Sequence, residues 1–432
     1  MNLHTLAAAR AAAGDPVRVG LIGAGKFGSM FLAQVPHSPL EVTAIADLDV
    51  DRARRACAEV GWSPAAIAAC TFTDSADALL ARPDVEVVVE ATGNPVVGVD
   101  HALACFAAGK HLVAVNVEAD ALVGPLLTEA AAEAGVVYSL AYGDQPALVC
   151  EMVDWARACG FDVVAAGKGT KHHPTYHAST PDTIWDHYGL TAEQAAAAGM
   201  NSQMFNSFLD GTKSGIEMCA IANATGLTPA PGGLEFPPCG VDDLPHVLRP
   251  TADGGLLHHK GQVEVVSSLE RDFRPVFRDL RWGVYVVLEA PSPYAAACFA
   301  QYGMHTDASG RYAAMYKPYH LIGLELNISI LSAALRSEPT GQARQWAGDV
   351  VAVAKRSLRA GEMLDGEGGF TVWGRLMPAA DSRALGGLPI GLAHGVELTA
   401  DVAAGQPVRW SDVAVKEERT AHRLRRRLEA SA

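Results

Sequence analysis

The chain begins with short, continuous apolar runs that alternate with alanine-rich stretches. The apolar runs cover residues 17–22, 41–46, 85–89, 111–115 and 136–140. A parallel strand covered by helices on both faces shows a continuous apolar run rather than a strict alternation. Predicted helices lie between the runs, around residues 30, 54, 79, 104 and 131. The pattern therefore predicts a doubly wound α/β unit.

The pattern changes after about Asp144. A helix through Trp155 and a strand over residues 162–166 precede a polar segment, further helices and β-rich segments at 262–270 and 283–290. This order of elements is typical of an α+β domain that is appended to the first unit.

The region from about residue 350 to 417 is rich in glycine and β-forming residues. Two apolar runs there each lead into an Ala-Gly pair, at Ala360-Gly361 and at Ala404-Gly405, which indicates a small β-rich module. The tail from Lys416 carries six basic and three acidic residues and is predicted to be a solvated helix. The predicted domains cover residues 1–145, 146–349 and 350–432.

Length and charge limit the classes of function. With 432 residues, the chain is long enough for two or three domains. A formal net charge of -14 argues against nucleic acid or an anionic membrane as the main partner, because phosphate binding needs a basic face. The eight cysteines lie mostly in apolar stretches, so we expect buried, reduced thiols in a cytoplasmic protein. No uncharged apolar stretch is long enough for a transmembrane helix.

A glycine-rich segment follows the first predicted strand and opens the next predicted helix. Gly23 permits a tight turn, Gly25 lets the backbone approach a pyrophosphate, and Gly28 lets helix and strand pack closely. The helix N-terminus then binds the anion. This context predicts a Rossmann dinucleotide site. Its predicted residues are Gly23, Ala24, Gly25, Lys26, Phe27, Gly28, Asp47, Thr92, Gly93, Asn94 and Asn116.

Three charged residues bear on which dinucleotide binds. Asp47, at the end of the second strand, would accept hydrogen bonds from the adenosine ribose and repel a 2′-phosphate, which favours NAD over NADP. Arg52 and Arg54 lie a few residues further on and would offset that repulsion. The residues alone leave both dinucleotides open.

A cationic segment follows the strand predicted at 162–166. Its cationic and imidazole side chains are Lys168, Lys171, His172, His173 and His177. Such groups on a loop at the end of a strand suit an anionic or polyhydroxylated substrate. A metal held by His173 and His177 is the alternative, but Pro174 would break the helix that aligns them.

A single helix is predicted over residues 203–225. Four polar side chains recur at steps of four, three and four, namely Asn206, Asp210, Lys213 and Glu217. They form one stripe that either faces water, as on most helices, or lines a cleft. A lysine between carboxylates would stabilise a developing enolate or alkoxide, or pass a proton.

Further candidates lie elsewhere in the chain. Glu118 and Asp120 follow Asn116 at the expected nicotinamide end and suit acid–base chemistry or a divalent cation, although Asp120 is equally suited to cap a helix. Residues 317–320 are predicted to open an apolar helix, where His320 is either a satisfied core residue or a ligand.

These motifs resemble known families. The N-terminal half resembles homoserine dehydrogenase through VGLIGAGKFG, the segment VEATG and the strand that leads to Asn116. That enzyme would have Asn-Lys where this chain has Asn116 and then Val117-Glu118, so its catalytic lysine is missing at this position. The C-terminal region resembles a SAF-type β-clip domain. The middle of the chain resembles the DXR-like (1-deoxy-D-xylulose 5-phosphate reductoisomerase-like) family through GKGTKHHPTYHASTPDTIWDHYGL, MNSQMFNSFLDGTKSGIEM, VEVVSSLERD, DLRWGVYVV and HLIGLELNIS.

The resemblance implies an α/β protein with a Rossmann dinucleotide-binding domain, an α+β catalytic domain and a small C-terminal β-rich SAF-like domain. It implies rearrangement of a phosphorylated ketose to a branched aldehyde, which NADPH then reduces, with a divalent cation (Mg²⁺ or Mn²⁺) expected. NADP is preferred on this basis, NAD stays open, and a homodimer is expected. For this chemistry we expect the catalytic residues to be Lys168, Lys171, Lys213, Asp210 and Glu118, with Glu118 or Asp210 as base or metal ligand. We expect Asn206, Ser207, His173 and His320 to bind the substrate.

Two rival functions stay open. One is an NAD(P)-dependent dehydrogenase of a sugar acid, a polyol or a homoserine-like alcohol, which would leave the carbon skeleton unchanged. The SAF-like tail, a module also present in sugar-acid enzymes, favours it. The other is a nucleotide-sensing regulator without catalysis, against which the cationic segment and the polar stripe argue.

Overall fold

The computed structural model describes residues 2–198, 200–416 and 418–431. Its helices are α1 (Leu3–Ala12), α2 (Lys26–Gln34), α3 (Val50–Glu59), α4 (Pro64–Ala69), α5 (Ala76–Leu80), α6 (Pro95–Ala107), α7 (Val117–Glu133), α8 (Gln145–Ala158), α9 (Ile184–Tyr188), α10 (Ala192–Ala197), α11 (Ser202–Leu209), α12 (Thr212–Thr225), α13 (Leu244–Val247), α14 (Pro293–Gln301), α15 (Asn327–Arg336), α16 (Ala379–Leu385) and α17 (Thr420–Ser431). Its strands are β1 (Val17–Ile22), β2 (Leu40–Ala46), β3 (Thr71–Thr73), β4 (Val87–Glu90), β5 (His111–Ala114), β6 (Tyr138–Leu140), β7 (Asp162–Thr170), β8 (Gln262–Ser267), β9 (Val284–Glu289), β10 (His305–Thr306), β11 (Tyr312–Lys317), β12 (Gly348–Ala354), β13 (Met363–Asp365), β14 (Val372–Pro378), β15 (His394–Leu398) and β16 (Val413–Ala414).

The chain divides into two compact units. The first contains the residues up to Glu151 together with His320–Arg344, and the second contains Met152–Tyr319 together with the residues from Gln345 onwards. The helix α15 thus belongs to the first unit, although it lies far from the rest of that unit in sequence. The domain boundaries after residues 145 and 349 stay a prediction.

In the first unit, six strands of the described chain form one parallel sheet in the order β3-β2-β1-β4-β5-β6. The order reverses beside β1, which pairs with both β2 and β4. Buried side chains of β1, β2, α2 and α15 form much of its core. The predicted doubly wound unit is confirmed. The pattern did not reveal β3, because that strand has three residues whose side chains are exposed or half-buried.

In the second unit, five strands of the described residues form a mixed sheet in the order β10-β11-β9-β7-β8. The strand predicted at 162–166 is wrong at its end, since β7 continues to Thr170. Gly167 and Gly169 make this possible. A Cβ atom at either glycine would lie 1.9 Å from a backbone oxygen, that of Glu264 or that of Leu280. Lys168 therefore lies on a central strand and not in a loop.

The single helix predicted over residues 203–225 is wrong. The helix α11 ends at Leu209 and α12 begins at Thr212. Between them Gly211 has a φ of +94°, a left-handed conformation that glycine adopts without strain. Every residue of α12 except Lys213 is buried, so α12 presents no continuous water-facing stripe.

The C-terminal region is β-rich, as predicted. β12 pairs with β14, and β13, β15 and β16 form a second small sheet. The solvated terminal helix is wrong in one respect, because Arg425 of α17 is completely buried. Its Nη1 donates to Asp349 Oδ1 on β12 at 2.8 Å. A charge run in a sequence does not show which of its members meets a buried carboxylate.

Three smaller predictions have different outcomes in the structure. The helix predicted to open at residues 317–320 is wrong, because Lys317 ends β11 and α15 begins at Asn327. Each cysteine is a free thiol, but Cys159 is exposed rather than buried. Within the described residues, no helix has the length and apolar character that crossing a membrane requires.

Candidate functional site

The glycine turn of the first unit joins β1 to α2. Gly23 has a φ of +92°, and a Cβ atom there would lie 2.8 Å from the backbone oxygen of Ala91. A Cβ atom on Gly28 would lie 2.4 Å from the oxygen of Gly23, whereas one on Gly25 would meet nothing within 4 Å. Packing therefore requires two of the glycines, and the third faces open space at the N-terminus of α2, where a pyrophosphate fits.

The remaining residues of the turn have distinct surroundings. Ala24 is buried, and its N–H donates to Asp47 Oδ2 at 2.8 Å. Lys26 is exposed in the first turn of α2, and Phe27 is half-buried against the core.

Asp47 already has several partners. Its Oδ1 accepts from the backbone N–H of Asp49 at 2.9 Å and from Arg52 Nη2 at 2.7 Å. The Asp47 side chain is 4% exposed, and that of Arg52 is 55% exposed. A cation thus lies beside the carboxylate that would otherwise repel a 2′-phosphate.

The loops that leave β4 and β5 are joined by their asparagines. Asn94 caps α6, and Asn116 caps α7. Asn116 Nδ2 also donates to the backbone oxygen of Asn94 at 2.9 Å. Gly93 has a φ of +71°, and the exposed Thr92 donates its hydroxyl hydrogen to Glu90. The predicted cofactor residues from both loops are thus brought together.

Glu90 is a buried carboxylate that the sequence reasoning missed. It is 1% exposed, and within the part of the chain that the structure describes its Oε2 has no hydrogen-bond partner. His101 Nδ1 lies 3.3 Å from the other oxygen, Oε1. The signal in the sequence that would have identified it is an acidic residue at the end of an apolar strand.

The other candidates of the first unit lie on helices and loops. Glu118 is half-buried in the first turn of α7. Asp120 lies fully buried inside α7, where it accepts from the Tyr138 hydroxyl at 3.1 Å. Burial raises the pKa of Asp120 to about 7. His320 is half-buried, with its Nε2 3.2 Å from Gln145 Nε2.

Lys168 forms a buried ion pair in the second unit. Its side chain is 7% exposed, and its ammonium binds Glu217 Oε2 on α12, whose side chain is 4% exposed. The structure thus joins a residue of the cationic segment to a residue of the predicted polar stripe. Isolated buried charges are very unfavourable, so this pair is either an obligatory structural element or a functional one.

Lys171 has different partners from Lys168. Its ammonium donates to the backbone oxygen of His187 and lies 5.5 Å from the Tyr188 ring centroid. Burial, and then the charge of Arg281, lower the pKa of Lys171. The two lysines of the cationic segment therefore occupy separate environments.

His173 and His177, the two histidines considered as a metal pair, each stack on a different aromatic ring. His173 stacks on Phe273 at 3.8 Å, and His177 stacks on Trp373 at 3.9 Å. Among the described residues, no group of three His, Cys, Asp or Glu side chains is arranged to hold a metal ion.

The polar candidates of α11 point into the protein. Asn206 is completely buried, and its Nδ2 donates to the backbone oxygens of Ser179 at 3.1 Å and Gly368 at 2.8 Å. Ser207 is buried, and its hydroxyl donates to the backbone oxygen of Met204 at 2.8 Å.

Asp210 lies in the break between α11 and α12 and is completely buried. Its Oδ1 accepts from the Thr212 N–H at 2.9 Å, and its Oδ2 lies 2.8 Å from Lys355 Nζ. Burial raises the pKa of Asp210, although Lys355 acts in the opposite direction. Lys213 follows, half-buried in the first turn of α12. Sequence reasoning missed Lys355, because it lies about 145 residues from its partner.

Glu264 was also missed. It is a buried residue of β8 that accepts hydrogen bonds from the backbone N–H groups of Glu235, Phe236 and Val265. Burial raises the pKa of Glu264 to about 7. A single carboxylate inside the apolar run at 262–267 was the signal that would have identified it.

Family models match three successive parts of the chain. The homoserine dehydrogenase NAD-binding domain matches residues 19–140, the catalytic domain of oxidoreductase DRL matches 143–326, and the SAF domain matches 349–414. The chain thus contains a segment similar to an NAD-binding domain, followed by one similar to an oxidoreductase catalytic domain. The predicted order of nucleotide-binding, catalytic and SAF regions is confirmed by these matches, whereas the DXR-like resemblance stays a prediction.

Several solved structures are similar over part of the chain. A 3-ketoreductase from Actinomadura kijaniata is 23% identical over 37% of this chain and 48% of its own, with a TM-score of 0.27. A myo-inositol dehydrogenase from Corynebacterium glutamicum is 18% identical over 40% and 51%, with a TM-score of 0.29. A scyllo-inositol dehydrogenase from Lactobacillus casei is 14% identical over 38% and 47%, with a TM-score of 0.27.

This chain thus spans about half the length of the solved structures that it matches. Such low TM-scores carry no argument about function. No curated protein matches the chain.

Proposed function

We propose that the enzyme is a reductoisomerase of phosphorylated ketoses such as 1-deoxy-D-xylulose 5-phosphate, with a branched polyol phosphate as product. The observation that carries the proposal is the buried Lys168–Glu217 pair inside the segment that matches an oxidoreductase catalytic domain. A buried ammonium group beside a substrate oxygen stabilises negative charge that develops there, more strongly than the same group would in water.

The reaction divides into an isomerisation and a reduction. One carbon–carbon bond breaks and another forms at the neighbouring carbon, which gives an aldehyde with the same atoms and electrons as the ketose. When bound, the dinucleotide supplies the hydride that, together with one proton, converts this aldehyde to an alcohol. Only the second stage consumes NADPH.

The chain's own residues would manage charge and protons. Lys168, Lys171 and Lys213 would bind the anionic substrate and its developing oxyanion. Glu118 or Asp210 would carry the proton. The proposed ligands of the remaining substrate oxygens are Asn206, Ser207, His173 and His320.

We propose NADP as the preferred dinucleotide. The open position at Gly25 supports dinucleotide binding in general. Arg52, paired with Asp47 yet half-exposed, supports NADP in particular, because its guanidinium would bind a 2′-phosphate. Since the described residues include no group of three His, Cys, Asp or Glu side chains arranged around a metal ion, no step is assigned to a divalent cation.

Turnover with 1-deoxy-D-xylulose 5-phosphate tests the proposal. We expect substrate-dependent oxidation of NADPH, measured by absorbance, and a branched polyol phosphate in the NMR spectrum of the product. Lys168→Met should reduce kcat at least about a hundredfold if its charge stabilises the oxyanion, whereas the surface variant Lys260→Met should match the wild type. Absence of turnover in folded protein, with Mg²⁺ or Mn²⁺ added in parallel, would contradict the proposal.

A simple dehydrogenase is the second candidate. The matches to the NAD-binding domain of homoserine dehydrogenase and to the SAF domain favour it, and its proposed substrate is a homoserine-like alcohol, a sugar acid or a polyol. Reduction of NAD or NADP by such an alcohol, with an unchanged carbon skeleton in the product, would decide for this candidate.

Two structural proposals accompany the function. We propose domains at residues 1–145, 146–349 and 350–432, which limited proteolysis would test. We also propose a homodimer, which light scattering coupled to size-exclusion chromatography would test. A monomer at micromolar concentration would contradict the second proposal.

A further inference from the structure

A loop of the SAF-matching region lies directly on the helices that carry the candidate residues. This docking loop comprises residues 365–374, which are the last residue of β13, the connection that follows it and the first three residues of β14. Gln203 Nε2 on α11 donates to the backbone oxygen of Asp365 at 3.1 Å, and Asn206 Nδ2 donates to that of Gly368 at 2.8 Å. These side chains of α11 thus bind the backbone of a segment that is distant in sequence.

The approach between the docking loop and the helices is close. Gly368 has a φ of +67°, and a Cβ atom there would lie 2.1 Å from the backbone oxygen of Gln203. At the other end of the loop, the Gly374 N–H donates to Thr212 Oγ1, in the first turn of α12, at 2.8 Å. The loop therefore fits both helices only with small residues at its contact points.

Lys355 reinforces this contact with charge. It follows β12 in the SAF-matching region, and its side chain is 2% exposed. The ammonium lies 2.8 Å from Asp210 Oδ2, and it donates to the backbone oxygens of Ser179 at 2.8 Å and Gly369 at 2.7 Å. The ammonium thus donates two hydrogen bonds to backbone oxygens and lies within ion-pair distance of one carboxylate oxygen.

Asp210 accepts two further hydrogen bonds. His177 Nδ1 donates to its backbone oxygen at 2.7 Å, and the His177 ring stacks on Trp373 of the docking loop. The Asp210 side chain also accepts from the N–H of Thr212. Two residues of the SAF-matching region therefore contact the break, Lys355 directly and Trp373 through the His177 ring.

The orientation of α12 matters for the candidate site. Lys213 lies in its first turn, and Glu217 lies one turn further on, where it binds Lys168 of β7. The first half of α12 is thus held between two buried lysine–carboxylate pairs. One lysine comes from the catalytic sheet, and the other comes from the SAF-matching region.

We propose that Lys355 is a positioning residue, and that the SAF-matching region serves the reaction by orienting α12 and thereby Lys213 and the Lys168–Glu217 pair. A buried ion pair is a poor source of stability but a strict determinant of geometry, since its charges must meet. The inference rests on the proposed function only in that Lys168 and Lys213 act on the substrate.

The variants Lys355→Met and Gly368→Ala test this proposal in the full-length enzyme. The first removes the charge, and the second pushes the docking loop away from α11 without leaving a charge unpaired. For both we expect kcat to fall at least tenfold, while the Kd for NADPH stays within twofold of the wild type. Amide hydrogen exchange should rise in residues 203–217 and stay unchanged in residues 17–46.

The control is Lys416→Met, which removes an ion pair with Glu397 on the surface of the same region, where the lysine side chain is 75% exposed. It should behave as the wild type. Unchanged kcat and unchanged exchange at residues 203–217 in both test variants would overturn the proposal. So would a rise in exchange that is uniform along the chain, since it would show a purely structural role. If the wild type lacks turnover, the proposed function fails, and the exchange measurement alone then decides this inference.

Discussion

The glycine turn of the first unit and the α11–α12 break of the second are both candidate binding elements, but they are built differently. The turn uses backbone conformation and the absence of side chains, and its three glycines lie within six residues. The break uses buried side chains that come from far apart, with Asp210 bound to Lys355 and Glu217 bound to Lys168.

This difference predicts different responses to substitution. A backbone site should lose its ligand when a side chain is added, even where the fold tolerates the addition. A site made from buried ion pairs should lose stability first, because removing one partner leaves an uncompensated charge in the interior. Four experiments test this contrast.

The largest effect is expected for Lys168→Met. The change leaves the Glu217 carboxylate buried without its cation, and breaking such a pair costs roughly 3–5 kcal/mol. Denaturant unfolding measures this loss. The matched control is Lys260→Met, whose partners Asp162 and Glu289 lie nearer the surface, and which should cost less than about 1 kcal/mol. Equal losses in both variants would show that burial of the Lys168–Glu217 pair does not determine the cost of breaking it.

Each unit also contains one buried carboxyl whose pKa is raised to about 7, Asp120 in the first and Glu264 in the second. Between the unfolded pKa, near 4, and 7, the folded protein binds more protons than the unfolded one. The stability that these groups contribute is therefore present at low pH and is lost as the pH rises to 7, by up to about 4 kcal/mol each.

Asp120→Asn and Glu264→Gln should each flatten the decline in unfolding free energy between pH 5 and 7, as denaturant titrations at several pH values would show. Because both groups lie outside the two candidate elements, the two variants should behave alike. A stability that rises with pH over this window in the wild type, and stays the same in the variants, would contradict the assignment.

Gly25→Ala should separate binding from folding at the turn. The new methyl group meets no protein atom within 4 Å, so the unfolding free energy should change by less than about 1 kcal/mol. The methyl would occupy the path of the pyrophosphate, and we expect the affinity for NADPH to fall about tenfold, or about 1.4 kcal/mol. Gly28→Ala is the comparison, because its methyl would clash and should reduce both stability and affinity. Wild-type affinity in Gly25→Ala would show that the phosphates bind elsewhere.

The smallest effect is expected for Arg52→Ala. Its guanidinium is half-exposed, so the ratio of NADPH to NADH affinity should fall only about three- to tenfold, as isothermal titration would measure. Arg55→Ala on the same exposed face of α3 is the control. An unchanged ratio in Arg52→Ala would remove the support for NADP.

The sequence predicted the first unit well because its signals are local. Continuous apolar runs indicated β1 with its correct ends, and the glycine spacing indicated the turn that follows it. The second unit was predicted less well. The stripe from Asn206 to Glu217 assumed an uninterrupted helix, whereas the left-handed Gly211 divides it in two.

The charged residues that were predicted wrongly, or missed, have contacts with segments that lie far away in the sequence. Arg425 looked like one member of a solvated run but is buried against Asp349, and Lys355 had no local feature that marked it. Lys168 was expected in a loop because it follows the strand predicted at 162–166. In the structure, Gly167 and Gly169 on either side of it allow close contact with neighbouring backbone, and the strand continues.

By itself, the sequence determined the nucleotide-binding fold, the position of the glycine turn and the order of the three regions. These follow from periodicity and glycine placement, which act over a few residues. Only the tertiary structure decided which charges meet in the interior, where α12 begins and which lysines pair with Asp210 and Glu217. Burial makes a charge depend on a partner, and the partner is chosen by packing between segments that lie far apart in the chain.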